Sequence, residues 1–547
     1  MSRAPRWAIV VPTIGRPCLQ AMLDSLAAQR TDDTHPAPVE VVLVDDRPGR
    51  ADPLTASLPG VDWPLRVVRG YGRGPAAARN RGWRATHESA PEWISFLDDD
   101  VILPDGWLAG LVDDLAACGP DTGATQASIR VPRPTDRPPT DWERNVAALE
   151  GADWATADMA YRRAALEQVA GFDERFPRAF REDADLALRV RRAGWSLTRG
   201  TRHIVHPVRP ADDGVSLRLQ AGNADDALMR RLHGPRWREV AQAPGGGFGY
   251  HVATVAGALV AAGGAATAVA AGAWARTAPA ASLATGADAG TARAAGTARA
   301  ACTARAAGAA AGVGALIWAG LTARFLAIRF GPGPRPGHPE FRAEVRRMVP
   351  TSLTIPFAAV RHRIDGWRRH RGATPWPPTP RAVLFDRDGT LVRDVPYNGD
   401  PAKVELMPGA REAVDRARAA GLAVGVVSNQ SGIARGLLDE AAVRAVNARV
   451  DELLGGMDTW RYCPHGPEDG CGCRKPEPGL VTGAAADLGV DPRECVVIGD
   501  IGADVEAALA ARARPVLVPT PVTRPEEVRD APCVAPDLLT AVGEVLR

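Results

Sequence analysis

The stretch Ala382-Val383-Leu384-Phe385-Asp386-Arg387-Asp388-Gly389-Thr390 decides the architecture of the second half of the chain. Four apolar residues running straight into charges and a glycine read as a buried strand that ends in a tight turn. Asp386 and Asp388, at the carboxyl end of that strand, can both face one site. One carboxylate is suited to attack phosphorus and the other to handle the proton of the leaving oxygen. A divalent cation would neutralise the charge that collects there. An acidic surface turn after a strand has the same local pattern, so the residues that follow decide between the two.

Working outward, Ala423–Val427 is a second apolar run, ending in Ser428-Asn429-Gln430-Ser431-Gly432. A serine after a strand, with backbone amides nearby, can bind a phosphoryl oxygen. Helical patterns occupy Pro408–Gly421 and Asp439–Leu454, the second capped by Asp439 and buried along Val443, Val446, Val450 and Leu453. Arg474-Lys475-Pro476 supplies a cation that can hold phosphate oxygens and orient the nucleophile. Cys495–Ile498 is a further strand, ending in Gly499-Asp500 with Asp504 shortly after; Asp500 completes an oxygen cage for Mg²⁺ with Asp386 and Asp388. Cys463-Pro464-His465 and Cys471-Gly472-Cys473 give four N/S ligands in two close pairs, the set a structural Zn²⁺ requires. Redox-inert thiols are the alternative reading.

These elements, in this order, resemble the haloacid dehalogenase-like (HAD) phosphatases over Arg381–Arg547. DRDGTL, SNQSGIARG (Ser428–Gly436), the Cys/His loop and CRKPEPG (Cys473–Gly479) resemble the D-glycero-D-manno-heptose 1,7-bisphosphate 7-phosphatases, with histidinol phosphatases as close relatives. The resemblance implies an Asp386 nucleophile that forms an aspartyl phosphate, and an Asp388 general acid and then base. Ser428 and Lys475 would stabilise the phosphoryl group. Asp500 and the Arg387 carbonyl would complete the Mg²⁺ shell, and Cys463, His465, Cys471 and Cys473 would hold zinc. Asn429, Arg435 and Arg474 are the candidates for substrate contact. Val392–Gly399 departs from the family's asparagine-containing run near the substrate entrance.

Toward the amino terminus, Trp7–Pro12, Val39–Val44 and Trp93–Leu97 are apolar runs separated by the helical patterns Leu19–Ala28 and Ala76–Thr86. Alternating strands and helices imply a second doubly wound parallel sheet, with ligands at the carboxyl ends of its strands. Asp45-Asp46 and Asp98-Asp99-Asp100 stand at such ends, and carboxylates there can hold Mg²⁺ or Mn²⁺ against a diphosphate. VVPTIGR, VDD, GPAAARNRG, FLDDD, GFDERF and REDADLALRVRRAGW, between Trp7 and His206, resemble the family 2 glycosyltransferases of the GT-A fold. The resemblance implies a nucleotide-sugar donor, base contact by Asp45 or Asp46, and a metal–diphosphate site at Asp98 and Asp100. It also implies Asp183 as the base for the acceptor hydroxyl, and His206 as a further metal ligand. Asp183 could instead cap the helix that follows it. Asp158 stands before Met159 where the family has asparagine.

Between the two parts lie Val252–Ala275 and Ala306–Ala323, uncharged and long enough to span a bilayer, separated by the hexad repeat Thr291–Gly308. Arg230, Arg231, Arg236 and Arg238 before them, and Arg324, Arg329 and Arg335 after them, favour a hairpin with both ends in the cytoplasm. A soluble Ala-rich hairpin is the other reading, and Arg293, Arg299 and Arg305 in the repeat weigh toward it. Phe341–Arg371 places Phe357, Val360, Ile364 and Trp367 at helical spacing among arginines. That pattern suits either a helix on an anionic membrane surface or a solvated helix. Pro375–Pro380 is an extended spacer.

The 547 residues carry a net charge of +2, which argues against nucleic-acid binding over the whole surface, and the eight cysteines form no disulfide framework. Met1–Trp7 has no apolar leader core. The expected fold class is α/β, two doubly wound domains (GT-A and HAD, both Rossmann-like) joined by an Ala-rich helical, candidate transmembrane segment. The expected divisions are 1–240 transferase, 241–335 candidate hairpin, 336–380 basic and Pro-rich linker, and 381–547 phosphatase. The function expected is bifunctional: a Mg²⁺-dependent, zinc-bearing sugar phosphate phosphatase, and a Mg²⁺- or Mn²⁺-dependent transferase from a nucleotide-sugar donor to a glycan or lipid acceptor, at the cytoplasmic face of a membrane. The alternative keeps one active head, a histidinol-phosphate or other small phosphomonoester phosphatase, with the first part only binding a nucleotide-sugar or tethering.

Overall fold

The structure, a computed structural model, describes residues 5–49, 52–277 and 287–546, the side chains of 287–293 excepted. Residues 1–4 of the stretch Met1–Trp7 and the Arg293 side chain of the repeat lie outside the described residues. The first sheet holds β1 (Trp7–Thr13), β2 (Val41–Asp45), β3 (Leu65–Arg69), β4 (Trp93–Leu97), β5 (Thr122–Arg130), β6 (Asp158–Arg162) and β7 (Ser196–Val205). Its order is β3-β2-β1-β4-β6-β5-β7. Only β6 runs antiparallel to its neighbours β4 and β5. The second sheet holds β8 (Ala382–Phe385), β9 (Ala423–Asn429), β10 (Thr459–Cys463), β11 (Cys495–Gly499) and β12 (Arg514–Leu517). Its order is β10-β9-β8-β11-β12, with every pairing parallel.

Both central strands are apolar without interruption because both their faces are covered. In β1, Trp7, Ile9 and Val11 join a core with Met22, Leu23 and Trp107. Ala8 and Val10 point the other way, into a core with Trp83, Phe96 and Tyr161. In β8, Val383 and Phe385 pack with Val414 and Val542, while Ala382 and Leu384 pack with Leu480 and Ala507. This strict alternation carries the chain to the carboxyl edge of each sheet, where the acidic residues stand.

The two apolar helices are longer than their uncharged runs, Phe248–Thr277 and Ala287–Phe330. The hexad repeat belongs to the second helix, which runs straight through it, since alanine and arginine are strong helix formers. The helices approach closely at small residues, since a Cβ on Gly264 would lie 2.7 Å from the Ala307 carbonyl oxygen. Their apolar windows, of mean hydropathy 1.8 and 1.6, are only 11% buried.

The second helix ends on the first domain. The Arg329 guanidinium donates to Asp141 (2.5 Å), Thr351 (2.9 Å) and Ser352 (2.8 Å). The basic helix Pro339–Arg369 buries Met348, Ile355, Ala359 and Gly366, the last against Ala224 of the helix Gly222–His233. Its outer face carries Val345, Val349, Leu353, Phe357, Ile364 and Trp367, each 36–48% exposed.

Candidate functional sites

At the carboxyl edge of the second sheet, β8, β9 and β11 deliver Asp386, Ser428 and Asp500 to one place. Gly389, at φ +80°, turns the chain tightly after β8, and a Cβ there would lie 2.3 Å from Asp500 Oδ2. Lys475 is buried between two carboxylates, with Nζ 2.5 Å from Asp386 Oδ1 and 2.5 Å from Asp504 Oδ1, and it also donates to the Val427 carbonyl at 2.8 Å. Its backbone is clamped by Asn429, which accepts from Lys475 N–H and donates to the Lys475 carbonyl, both at 3.0 Å. Burial holds Asp386 well above the usual carboxylate range despite Lys475. Burial reinforced by Asp504 pushes Asp500 up to about 7. The Lys475 ammonium is held above its usual value, the two carboxylates outweighing its burial.

Three expectations are corrected here. The cluster able to hold a cation is Asp386, Asp500 and Asp504; the Asp388 carboxylate is not part of it. Asp388 is turned toward Arg387 (3.0 and 2.9 Å) and Gln430 (2.9 Å), while Gln430 also donates to Ser428 Oγ at 2.8 Å. That orientation suits a proton carrier better than a metal ligand. The Arg387 carbonyl is occupied inside the turn by the N–H groups of Leu391 (2.9 Å) and Val392 (3.0 Å). Asn429 and Arg474 face protein rather than open space: Asn429 makes the clamp on Lys475, and Arg474 donates to the His465 carbonyl at 3.3 Å. Arg435 donates to the Tyr397 hydroxyl at 2.6 Å. The departing segment Val392–Gly399 therefore supplies an aromatic partner for Arg435.

The Cys/His loop closes on itself. Cys473 Sγ lies 3.3 Å from Cys463 Sγ, 3.3 Å from His465 Nδ1 and 3.5 Å from Cys471 Sγ. Cys463 Sγ lies 3.5 Å from His465 Nδ1 and 3.6 Å from Cys471 Sγ. A tetrahedron with zinc–ligand bonds of about 2.0–2.3 Å has edges of roughly 3.3–3.8 Å, so these donors fit that ion.

In the first domain, a cleft of about 1040 Å³ opens over the carboxyl ends of β1, β2 and β4. Asp98, Asp100 and His206 come together on its wall, as a metal would require. His206 Nε2 lies 3.7 Å from Asp100 Oδ1, and Arg209 lies 2.7 Å from Asp100 Oδ2. Of the acidic pair after β2, Asp46 lines the cleft, whereas Asp45 is held outside it by Arg47 (2.8 and 2.6 Å). Asp46 accepts the N–H groups of Arg73 (2.9 Å) and Gly74 (2.8 Å), and burial pushes it up to about 6.

Asp183 lines the same cleft, and burial raises its pKa. It does not cap the helix Glu182–Arg192: it stands inside the first turn and accepts only from Ala184 N–H (2.7 Å), while Arg181 occupies the cap position. Its neighbour Glu182 is pushed up to about 8 by burial and by Asp183.

The fully buried Arg79 is a residue that sequence reasoning missed. It joins Glu182 and Asp98, each at 2.8 Å, and its only sequence signal was its place in GPAAARNRG. Asp158, the departure before Met159, is fully buried against Trp107 (2.6 Å) and Arg202 (2.9 Å) and takes a structural part.

Fold and sites together define an α/β chain with two independent carboxylate-rich centres, each at the carboxyl edge of a doubly wound sheet. The family model described as glycosyl transferase family 2 matches residues 8–184, and the HAD-hydrolase-like model matches residues 472–542. The carboxy-terminal part is 42% identical over 143 residues to a D-glycero-β-D-manno-heptose-1,7-bisphosphate 7-phosphatase of Pseudomonas aeruginosa, covering 25% of this chain and 80% of that protein. The Escherichia coli protein of the same name is 36% identical over 141 residues, with 24% and 74% covered. A solved D,D-heptose 1,7-bisphosphate phosphatase from B. bronchiseptica, complexed with magnesium and phosphate, is 32% identical. It covers 30% of this chain and 98% of that one, with a TM-score of 0.28. The chain belongs to this HAD-like phosphatase family through its carboxy-terminal domain, and it carries a family 2 glycosyltransferase domain ahead of it.

Proposed function

We propose that the phosphatase domain, residues 381–547, hydrolyses one phosphate of a sugar bisphosphate of the heptose 1,7-bisphosphate type through an aspartyl phosphate. The observation that carries this is Lys475, buried between Asp386 and Asp504, with Asp388 held separately by Gln430 and Arg387. Asp386 attacks phosphorus. The bond to the sugar oxygen breaks, and that oxygen takes the proton of Asp388. Asp388, now ionised, removes a proton from a water that attacks the aspartyl phosphate, so that inorganic phosphate leaves and both carboxyls are restored. Lys475 and Ser428 stabilise the charge on the transferring group. Asp386, Asp500 and Asp504 would hold Mg²⁺, which neutralises phosphate charge when bound. Cys463, His465, Cys471 and Cys473 would hold a structural Zn²⁺, with no ligand position left open. Tyr397 and Arg435 face the substrate's distal end.

The transferase domain, 1–240, would take a nucleotide-sugar, with Asp46 toward the base, Asp98, Asp100 and His206 around Mg²⁺ or Mn²⁺ and the diphosphate, and Asp183 as base toward the acceptor hydroxyl. The segments 241–335 and 336–380 would fasten it to the cytoplasmic face of a membrane. The two apolar helices and the exposed apolar face of Pro339–Arg369 support this. Arg329 ties the hairpin to Asp141, at the start of a helix whose Trp142 and Val146 line the cleft, so an acceptor glycan or lipid resident in that membrane fits best.

A phosphate-release screen of the full chain with heptose 1,7-bisphosphate, histidinol phosphate and hexose bisphosphates tests the first reading. Preference for the heptose, abolished by Asp386→Asn, is expected. Turnover retained by Asp386→Asn overturns the nucleophile assignment, and preference for histidinol phosphate overturns the substrate.

A further inference from the structure

The phosphatase domain reaches into the transferase cleft. Arg512, in the turn between the helix Gly502–Ala510 and β12, lines that cleft together with Asp46, Gly72 and Arg73. The two domains are joined around it. Arg81 donates to the Asp530 carbonyl at 2.5 Å, and Tyr71 packs against the cluster of Val505, Leu509 and Leu517.

The backbone at Arg512 is left-handed, as it is at Ala170 and Gln242, which end helices of the first domain in the same way. Four helices of the phosphatase domain close with the same pair of bonds, in which a left-handed residue is followed by an N–H that reaches back five residues. Three use glycine: Gly421 (φ 79°), Gly455 (φ 79°) and Gly489 (φ 64°). The fourth uses Arg512 at φ 67°, with Arg512 N–H to the Leu509 carbonyl at 3.0 Å and Ala513 N–H to the Ala508 carbonyl at 2.8 Å. An L side chain is strained there, and glycine would close the turn without strain. The side chain kept at this cost borders the other domain's cleft. Its charged neighbours are Arg493, Arg73, Glu174 and Asp491. Glu174 is already shared by Arg73 and, at 3.6 Å, by Arg84, and Asp491 by Arg493 at 3.5 Å, so among the described residues Arg512 adds positive charge beside carboxylates that are already engaged.

We propose that Arg512 is a nucleotide-binding residue of the transferase site, supplied by the phosphatase domain, which meets the nucleoside diphosphate part of the donor on the Asp46–Arg73 side. This rests on the reading of the cleft as a nucleotide-sugar site. The same helix carries Asp504, the partner of Lys475, in its first turn, and Arg512 follows its last residue, so one short helix stands between the phosphatase centre and the transferase cleft.

Arg512→Gly is the discriminating variant, because a merely structural residue at this position is replaced by glycine without loss. In the full-length chain with Mn²⁺, binding of UDP, GDP, ADP, CDP and dTDP is measured by calorimetry beside the melting temperature. The expected result is that one nucleotide binds the unsubstituted chain and binds Arg512→Gly about tenfold more weakly, as for one lost charge-assisted contact, with melting unchanged or raised. Unchanged affinity in Arg512→Gly overturns the inference and leaves the donor-site reading standing. A melting temperature that falls with affinity assigns Arg512 a structural part and also overturns it. Binding of none of the five nucleotides by the unsubstituted chain overturns the donor-site reading and the inference together.

Discussion

Replacing Lys475 by methionine tests the electrostatic logic of the phosphatase centre. Lys475 is 3% exposed and touches two buried carboxylates at 2.5 Å each. Its removal leaves Asp386, Asp500 and Asp504, whose oxygens lie within 4.8 Å of one another, without their cation. Breaking a buried pair in this way costs about 3–5 kcal/mol. At about 2–4 °C per kcal/mol for a domain of 150–250 residues, the phosphatase transition should fall by roughly 6–20 °C. Asp386→Asn acts in the opposite sense. It deletes one of the crowded carboxylates while Lys475 keeps Asp504, so stability should stay within about 1 kcal/mol of the starting protein. Phosphate release should nevertheless drop on the order of 10³-fold or more in both variants. Differential scanning fluorimetry in EDTA, beside a phosphate-release assay, reads both quantities. A Lys475→Met variant as stable as its parent, or an Asp386→Asn variant that loses as much stability as Lys475→Met, refutes the reasoning.

The raised pKa of Asp500, about 7 against an ordinary 3.8, sets a pH dependence. The folded state favours the protonated carboxyl, so stability is greatest below the ordinary value and is lost as pH rises through about 7. In EDTA the phosphatase transition should therefore fall between pH 5 and pH 8, and Mg²⁺ should abolish the fall; a flat profile in EDTA rejects this. Metal analysis should find about one zinc per chain, lost in Cys463→Ser together with phosphatase stability; zinc retained by that variant contradicts the four-ligand site. Carbonate extraction should leave the full chain in the membrane pellet, and Phe357→Glu with Trp367→Glu should weaken binding to anionic vesicles. Release to the supernatant favours a soluble hairpin.

Much of the phosphatase centre was legible because its chemistry is local. Asp386, Ser428, Lys475 and Asp500 each follow a strand or a turn whose apolar run is self-evident, and parallel pairing then gathers strand ends without further information. What escaped depends on orientation or on distant partners. Nothing local shows that Asp388 turns toward Gln430, or that Asp504, one helical turn past Asp500, replaces it beside Asp386. Arg79 is one arginine among several in its motif, and only the fold brings Glu182 and Asp98 to it. The choice of Asp46 over Asp45 was likewise open until Arg47 was seen to hold Asp45 aside. The repeat reads as low complexity in sequence, which says nothing of where a helix starts; its alanines let the second helix continue through it.

Cys473, the last sulfur of the Cys/His loop, stands two residues before Lys475, and Asn429 fixes the backbone of Lys475 from the other side. The backbone that carries the Lys475 ammonium to its two carboxylates is therefore held between the Cys/His loop and a single amide. If the Cys/His loop holds zinc as proposed, a chain made without it would have one of the two backbone supports of Lys475 slack, while the loss would reach the transferase cleft only through Arg512, its one lining residue from the phosphatase domain among those described. On that reading zinc would act on the phosphatase centre at a distance, through the backbone of one lysine.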